Sequence, residues 1–475
     1  MKILIAICCF SMVVLQNVKS QVKPNLDWVN KVGATSFPQS KKIFIANNYG
    51  AINDTVTLNT KAIQRAIDDC AKNGGGIVIL TPGNYVTGSL FIKTNVQLRL
   101  DKDVTLLGSQ NFDDYPEIDT RIAGIEMKWP AALINILNVK NAALTGVGII
   151  NARGKFCWDK YWAMRKAYEA KGLRWIVDYD AKRVRTILVQ NSSDITLKEL
   201  TIKNAGFWTV QLLYSTRITA DGLIIRNNDD GKGPSTDGID VDSSSWVKIE
   251  NCDIDCNDDD FCLKSGRDWD GLRVNRPTEY VLIQKCIARK GGGLLTLGSE
   301  TSGGIRHVLA RELIGIGTGN GFHIKSATTR GGIVEDIYFE NCVLDSVGTA
   351  FQFTMNWNPS YSYSTLPANY KYDSIPAHWK VMLNKVEPAE RGTPIFKNIY
   401  VSNITAKGVK KIINAAGLPS SYLQNFNFDN IKISGAIAGD ISYGEGRIFN
   451  KVNFTATDGK PLNVKNSKRT SLENN

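Results

Sequence analysis

Three aspartates stand where they could do acid–base chemistry together: Asp237, Asp258 and Asp259. Asp237 lies two residues before Ile239, and Asp259 lies two residues before Phe261. Both lead into short apolar segments that alternate in the same way. In a stacked repeat they occupy the same turn, 22 residues apart in sequence and one coil apart in space. Neighbouring strands are about 4.8 Å apart. Asp258 is one residue earlier and points differently. Three carboxylates on one turn, roughly 5–10 Å apart, repel each other and cost stability unless they have a use or a counter-ion.

Two uses fit. One is hydrolysis of a glycosidic bond, where a protonated carboxyl assists the leaving oxygen and a carboxylate activates water. Enzymes that invert configuration keep those groups about 6.5–9.5 Å apart. Crowding of like charges would keep one carboxyl protonated near neutral pH. The other use is a calcium site, because hard cations favour oxygen ligands. A bland reading stands beside both: an acidic turn on a solvated edge. Spacing favours hydrolysis and leaves the other two open.

The next coils add candidates for holding a substrate. Gly291-Gly292-Gly293 precedes Leu295 and would leave the wall low and open. His323 and Lys325 alternate on the outward face of the following strand, where a lysine could hold an acidic sugar. A plain surface lysine is the simpler reading without the acids nearby. Trp158, Tyr161, Trp162, Trp175 and Tyr179 make residues 154–186 densely aromatic, and Lys171 and Arg174 give them a cationic side. Sugars stack on aromatic rings, so Trp158, Trp162, Arg174 and Trp175 could form a cleft wall. Equally, the rings could fasten the segment to the body.

The element that must position these residues repeats. From about residue 190 a pattern of apolar, any, apolar, two free positions, apolar, any, apolar recurs. It runs through Ile195-Leu197-Leu200-Ile202, Ile218-Ala220-Leu223-Ile225 and Val247-Ile249-Cys252-Ile254, and on to Phe426-Phe428-Ile431-Ile433. Successive starts are 23 to 34 residues apart, save one gap of 62. Such a period signals a solenoid. Short, β-branched, Asn- and Gly-punctuated units select a β-solenoid over helical repeats. Cys252, Cys286 and Cys342 fall in one inward column and read as stacked core residues. Thr60 to Cys70 puts Ala62, Ile63, Ala66 and Ile67 on one helical face, a cap for the open N-terminal end. Residues 154–186 and 355–395 interrupt the repeat and read as loops leaving the wall, not as domains.

Composition bounds the setting. The chain has 475 residues, 43% of them hydrophobic and 22% charged, which fits a folded protein. Residues 1–20 read as a signal peptide, so the mature chain, 21–475, is expected to be secreted or periplasmic. No later run of about eighteen apolar residues would cross a membrane. The formal charge is +11, two less without Lys2 and Lys19. A basic balance suits a solvated surface or a polyanionic partner, and export favours an acidic polysaccharide over nucleic acid. Seven mature cysteines allow at most three disulfides and leave one thiol over.

Several motifs resemble one family. Ser235-Thr236-Asp237-Gly238-Ile239-Asp240, then Asn257-Asp258-Asp259 running to Lys264-Ser265-Gly266, is similar to the polygalacturonase-like glycoside hydrolases of family 28. Tyr49-Gly50-Ala51 and Pro82-Gly83-Asn84-Tyr85 resemble its entry segment. Gly298-Ser299-Glu300 and Gly303-Gly304 resemble its later landmarks. The resemblance covers nearly all of the mature chain.

That resemblance implies an all-β, single-domain, right-handed parallel β-helix with an N-terminal capping helix. It implies a pectic polysaccharide or oligosaccharide substrate, inversion, and no metal or other cofactor; a monomer is expected. Asp258 would be the general acid, and Asp237 and Asp259 would hold and activate the water.

Four departures stand out. Ser235 replaces an asparagine, and Asn257 replaces a glycine. Gly291-Gly292-Gly293 replaces Gly-His-Gly, and His323-Ile324-Lys325 replaces Arg-Ile-Lys. In the family that arginine and lysine grip the carboxylate of the released sugar. A histidine cannot copy a bidentate guanidinium clamp. The leaving-side sugar is therefore expected not to be a uronic acid, which would suit rhamnogalacturonan. Two rivals remain: a non-catalytic carbohydrate-binding β-helix, favoured by the missing histidine and arginine, and a calcium-dependent β-eliminating lyase.

Overall fold

The computed structural model describes residues 26–228 and 232–472. The signal peptide assigned to residues 1–20 lies outside them. Among the described residues, 33 strands join one continuous sheet whose coil-to-coil pairings are all parallel. The chain winds as a right-handed parallel β-helix, the hand that a right-twisted strand gives a parallel crossover. The catalytic-side row runs Ile187–Gln190, Val210–Leu213, Ile239–Asp242, Phe261–Lys264, Leu295–Leu297 and Asn320–Lys325. Its register is unbroken: Ile187 faces Val210, Val210 faces Ile239, Ile239 faces Phe261, and Phe261 faces Leu295.

Alternation explains the packing. Residues that point inward stack on their own kind, and Ile239, Val241, Phe261 and Leu263 are wholly buried. Each such side chain stabilises by about 1.5–3 kcal/mol. The bends stack as well. Asn191, Tyr214 and Ser243 take left-handed backbone at equivalent corners. Beside them, the amide of Ser192 donates to Ser215 Oγ at 3.0 Å, and that of Ser215 donates to Ser244 Oγ at 2.9 Å. The seven cysteines of the described chain are buried and unbridged, and the Cys252 amide lies 3.4 Å from Cys286 Sγ. Cys252, Cys286 and Cys342 are core residues, as their column implies, whereas Cys262 lies on the outward face beside Lys264.

The helix read from Thr60 to Cys70 is present as α1 (Thr60–Lys72), burying Ala62, Ile63, Ala66, Ile67 and Cys70. Three features depart from the sequence reading. The coil has three strands, because the eight-residue pattern spans two of them and the catalytic-side strand is the third. The solenoid begins well before residue 190: Ala142 pairs with Ile195, and Ala143 with Gln97. Finally, residues 154–186 are not a loop. They carry α2 (Lys155–Glu169), whose apolar face is too short and too aromatic to give a clean helical stripe.

An antiparallel hairpin, Glu117–Ile122 with Ile125–Pro130, also leaves the wall. It meets residues 154–186 and 355–395 over the catalytic-side row. Arg267 ties all three. Its amide donates to Gly124 O at 2.9 Å, and its guanidinium donates to Tyr179 Oη at 2.9 Å and to Tyr361 O at 2.7 Å. Tyr179 Oη donates in turn to Ala123 O at 2.7 Å, and Trp175 Nε1 donates to Thr365 O at 3.0 Å. These segments form a roof over the wall.

Candidate active site

The register brings the three aspartates together. Ile239 pairs with Phe261, so Asp237 and Asp259, each two residues upstream, occupy matching turns of adjacent coils. One oxygen from each of Asp237, Asp258 and Asp259 lies within 4.8 Å of the others. The turn is tight for local reasons. A side chain on Gly238 would meet Asp260 O at 2.4 Å. Opposite, the glycine triplet packs flush against the acids rather than simply lowering the wall. A Cβ on Gly292 would stand 3.2 Å from Asp259 Oδ1 and 3.4 Å from Asp258 Oδ1.

Two buried lysines divide the three carboxylates into unlike groups. Lys325 Nζ lies 2.8 Å from Asp259 Oδ2, and Thr296 Oγ1 donates to Asp259 Oδ1 at 2.7 Å. Burial pushes the Asp259 carboxyl up, but Lys325 and Lys264 overcome it and hold it down at about 2. Lys264 Nζ lies 3.3 Å from Asp237 and 3.2 Å from Asp240. Asp258 has no such partner. Burial and the charges of Asp237 and Asp259 push it up to about 8, into the range where a carboxyl keeps its proton near neutral pH. Asp237 is also pushed up, by burial and Asp240, with Lys264 opposing. Its Oδ1 is buried without a hydrogen-bond partner among the described residues. Each lysine also sits on an indole: Lys264 is 4.9 Å from the Trp208 ring centre, and Lys325 is 4.6 Å from that of Trp357. The three carboxylates are close enough to converge on a cation, but the two ammonium groups already stand at two of them.

The resulting pocket is lined from the wall by Asp237, Asp258, Asp259, Lys264, Glu300 and Lys325. The roof supplies Ala123, Arg174, Asp178, Trp357 and Tyr361. Glu300 is ionised: burial raises its carboxyl, but Lys264, Arg330 and Arg267 pull it below the usual range. It accepts from Tyr361 Oη at 3.2 Å.

The structure sorts the other candidates. Lys325 and Arg174 reach the pocket. His323 does not line it. Its ring is buried beside Thr296 in the register, both nitrogens lack partners, and burial with Lys325 lowers it to about 3, so it is neutral. Trp158 and Trp175 are buried, their N–H groups donating to Ala205 O and Thr365 O, so their rings serve packing. Trp162 is 39% exposed beside the pocket. Sequence reasoning named Lys264 and Glu300 only within motifs, without a role, and it missed Thr296 and the ring of Trp357. Lys264 had a signal: two positions beyond Cys262 on the outward face, it pairs with Asp242 in the preceding coil. Trp357 had none, because it belongs to the roof.

Comparison with known proteins agrees with this geometry. The sequence profile described as "Glycosyl hydrolases family 28" matches residues 76–365, more than half of the chain. A probable polygalacturonase of Vitis vinifera is 29% identical over 397 residues, covering 81% of this chain and 73% of its own. An exo-poly-alpha-D-galacturonosidase of Dickeya chrysanthemi is 25% identical over 454 residues, covering 87% and 71%. The crystal structure of an exopolygalacturonase from Thermotoga maritima superposes with a TM-score of 0.71 at 23% identity, covering 92% of this chain and 95% of that one. That likeness shows the same fold. The chain belongs to glycoside hydrolase family 28 and is a glycoside hydrolase.

Proposed function

We propose that this hydrolase removes sugars from the ends of pectic chains by cutting α-galacturonosidic bonds with inversion. One observation carries the chain-end reading: the hairpin and the two inserted segments interlock through Arg267 over the catalytic row, so the groove is a roofed pocket and not an open cleft. A long chain cannot lie through such a pocket, but its end can enter. The pectic substrate is supported by the relatives named polygalacturonase and exo-poly-alpha-D-galacturonosidase.

The steps follow from the charges. Asp258 gives its proton to the oxygen linking the two sugars as that bond breaks. A water held between Asp237 and Asp259 adds its oxygen to the anomeric carbon from the opposite face. Its proton passes to Asp259. Both Asp259 oxygens are already engaged by Lys325 and Thr296, which suits a base that orients water better than a nucleophile. The nearest oxygens of the three carboxylates lie within 4.8 Å of one another, closer than the usual inverting pair, so the inversion rests on the family and not on this spacing.

Within the pocket the lysines are committed to aspartates, and His323 is buried and neutral. This supports a bond whose leaving sugar is not itself gripped as a uronate, as in rhamnogalacturonan. Product analysis on a panel of pectic oligosaccharides tests the reading. It predicts saturated sugars released from chain ends, and faster release from rhamnogalacturonan oligomers than from polygalacturonate. Faster cleavage of polygalacturonate would remove the rhamnogalacturonan preference. An unsaturated, ultraviolet-absorbing product would overturn hydrolysis.

A further inference from the structure

The inserted segment 154–186 brings five rings near the active site, and four of them are spent on packing. Trp158, Tyr161, Trp175 and Tyr179 are each at most 2% exposed. Trp162 alone is open. It is also held still: its Nε1 donates to Lys232 O at 2.6 Å, and the Tyr161 ring packs edge-on at 5.1 Å. A fixed, exposed indole is a stacking platform, and a sugar ring that covers it costs little side-chain entropy.

Around this platform lies a second pocket, adjoining the catalytic one. The two share Ser235, Arg174 and Asp258. The rest of its lining adds Arg165, Lys232 and Tyr161 beside Trp162, with Gly233, Pro234 and Asn257. Arg165 lies 5.3 Å from the Trp162 ring centre and is oriented by Glu169 at 2.8 Å. Asp258 is the boundary. A general acid stands at the oxygen joining two sugars, so the catalytic pocket holds one side of the bond and this pocket faces the other.

We propose that the Trp162 pocket is a subsite for the leaving chain, and that it takes the second leaving sugar when that sugar bears a carboxylate. The indole would stack on the ring, and Arg165 and Lys232 would meet the carboxylate. That uronate follows a neutral leaving sugar in an alternating chain, and another uronate in a plain galacturonate chain. The cation missing at position 323 is thereby supplied from the roof, farther from the bond. This inference rests on the pectic reading above.

The test compares KM and kcat on trigalacturonate and on its carboxyl-reduced, neutral counterpart. All three substituted residues are exposed or at the surface of the pocket, and thermal melting checks that each variant folds. For the double variant Arg165→Ala, Lys232→Ala, KM for trigalacturonate is expected to rise about tenfold or more, as for loss of a charge-assisted contact. Its kcat should change little, and KM for the neutral trisaccharide should not move. Trp162→Ala should raise KM for both, because stacking does not depend on charge. An unchanged KM in the double variant, or an equal rise on both substrates, would overturn the subsite while leaving the chain-end hydrolase standing. A wild-type protein that cleaves neither trigalacturonate nor rhamnogalacturonan oligomers would overturn the pectic reading, and this inference with it.

Discussion

The wall and the roof of this enzyme are built on opposite principles. In the wall, Ile225, Ile254 and their neighbours stack like on like, with no exposure and no polar partner to find. In the roof, Arg183 and Arg267 are wholly buried and must be matched, Arg183 by Asp178 at 2.9 Å and Arg267 by Asp268 at 3.1 Å. Apolar stacking tolerates small changes, because each contact is non-directional. A buried guanidinium does not, because removing one partner strands the other. The wall therefore supplies stability and register, while the roof supplies shape. The three aspartates proposed as catalytic sit at the seam: the wall sets their spacing, and its lysines set their charge.

The contrast can be broken at the seam first. Asp258→Asn removes the proton donor without disturbing stacking. Turnover is expected to fall by about 10²–10⁴-fold while oligosaccharide binding persists. Retained turnover would remove Asp258 from the acid role. Because the folded state holds the Asp258 proton up to about 8, stability contributed by that proton declines as pH rises from the unfolded value toward 8. The same variant should then melt higher than wild type at pH 8, and no higher at pH 4.

In the roof, Arg267→Met leaves Asp268 paired with Arg330 and keeps the backbone bond to Gly124, but it unties the 154–186 and 355–395 segments by removing the bonds to Tyr179 Oη and Tyr361 O. A loss of about 1–3 kcal/mol is expected, as for buried partners left unsatisfied. Longer products should appear alongside single sugars as the pocket opens. A destabilised variant with an unchanged product pattern would show that Arg267 does not shape the pocket.

Lys325→Met addresses charge alone. Asp259 is held at about 2 chiefly by Lys325, so its removal lets burial push the carboxyl up. The acid limb of the kcat/KM profile should move up by about one pH unit or more, with the alkaline limb, set by Asp258, moving less. An unmoved acid limb would contradict the assignment of Asp259. The smallest effect belongs to the wall: Ile225→Val should cost about 0.5–1.5 kcal/mol in denaturant titration and leave the product pattern unchanged.

The same division decides what was legible in the sequence. The wall announces itself, because alternation and a stacked register leave a period, and that period alone pairs Asp237 with Asp259. Their charge states were not legible. They depend on Lys264 and Lys325, and Lys264 attracted no role because its partner Asp237 is 27 residues away on another coil. The roof was least legible. Its helix α2 has no clean apolar stripe, and its hairpin is stabilised by contacts with segments more than 50 residues distant, such as Tyr179 with Ala123. Aromatic composition flagged residues 154–186 but could not tell the open ring, Trp162, from Trp158 and Trp175, which the fold buries.

The central claim is that the roof turns a groove into a pocket. It is tested most directly by following viscosity and reducing ends together on a long pectic chain, at low conversion. A roofed pocket predicts reducing ends that accumulate while viscosity barely falls, with only the shortest products present. An early collapse in viscosity with a ladder of intermediate lengths would contradict it.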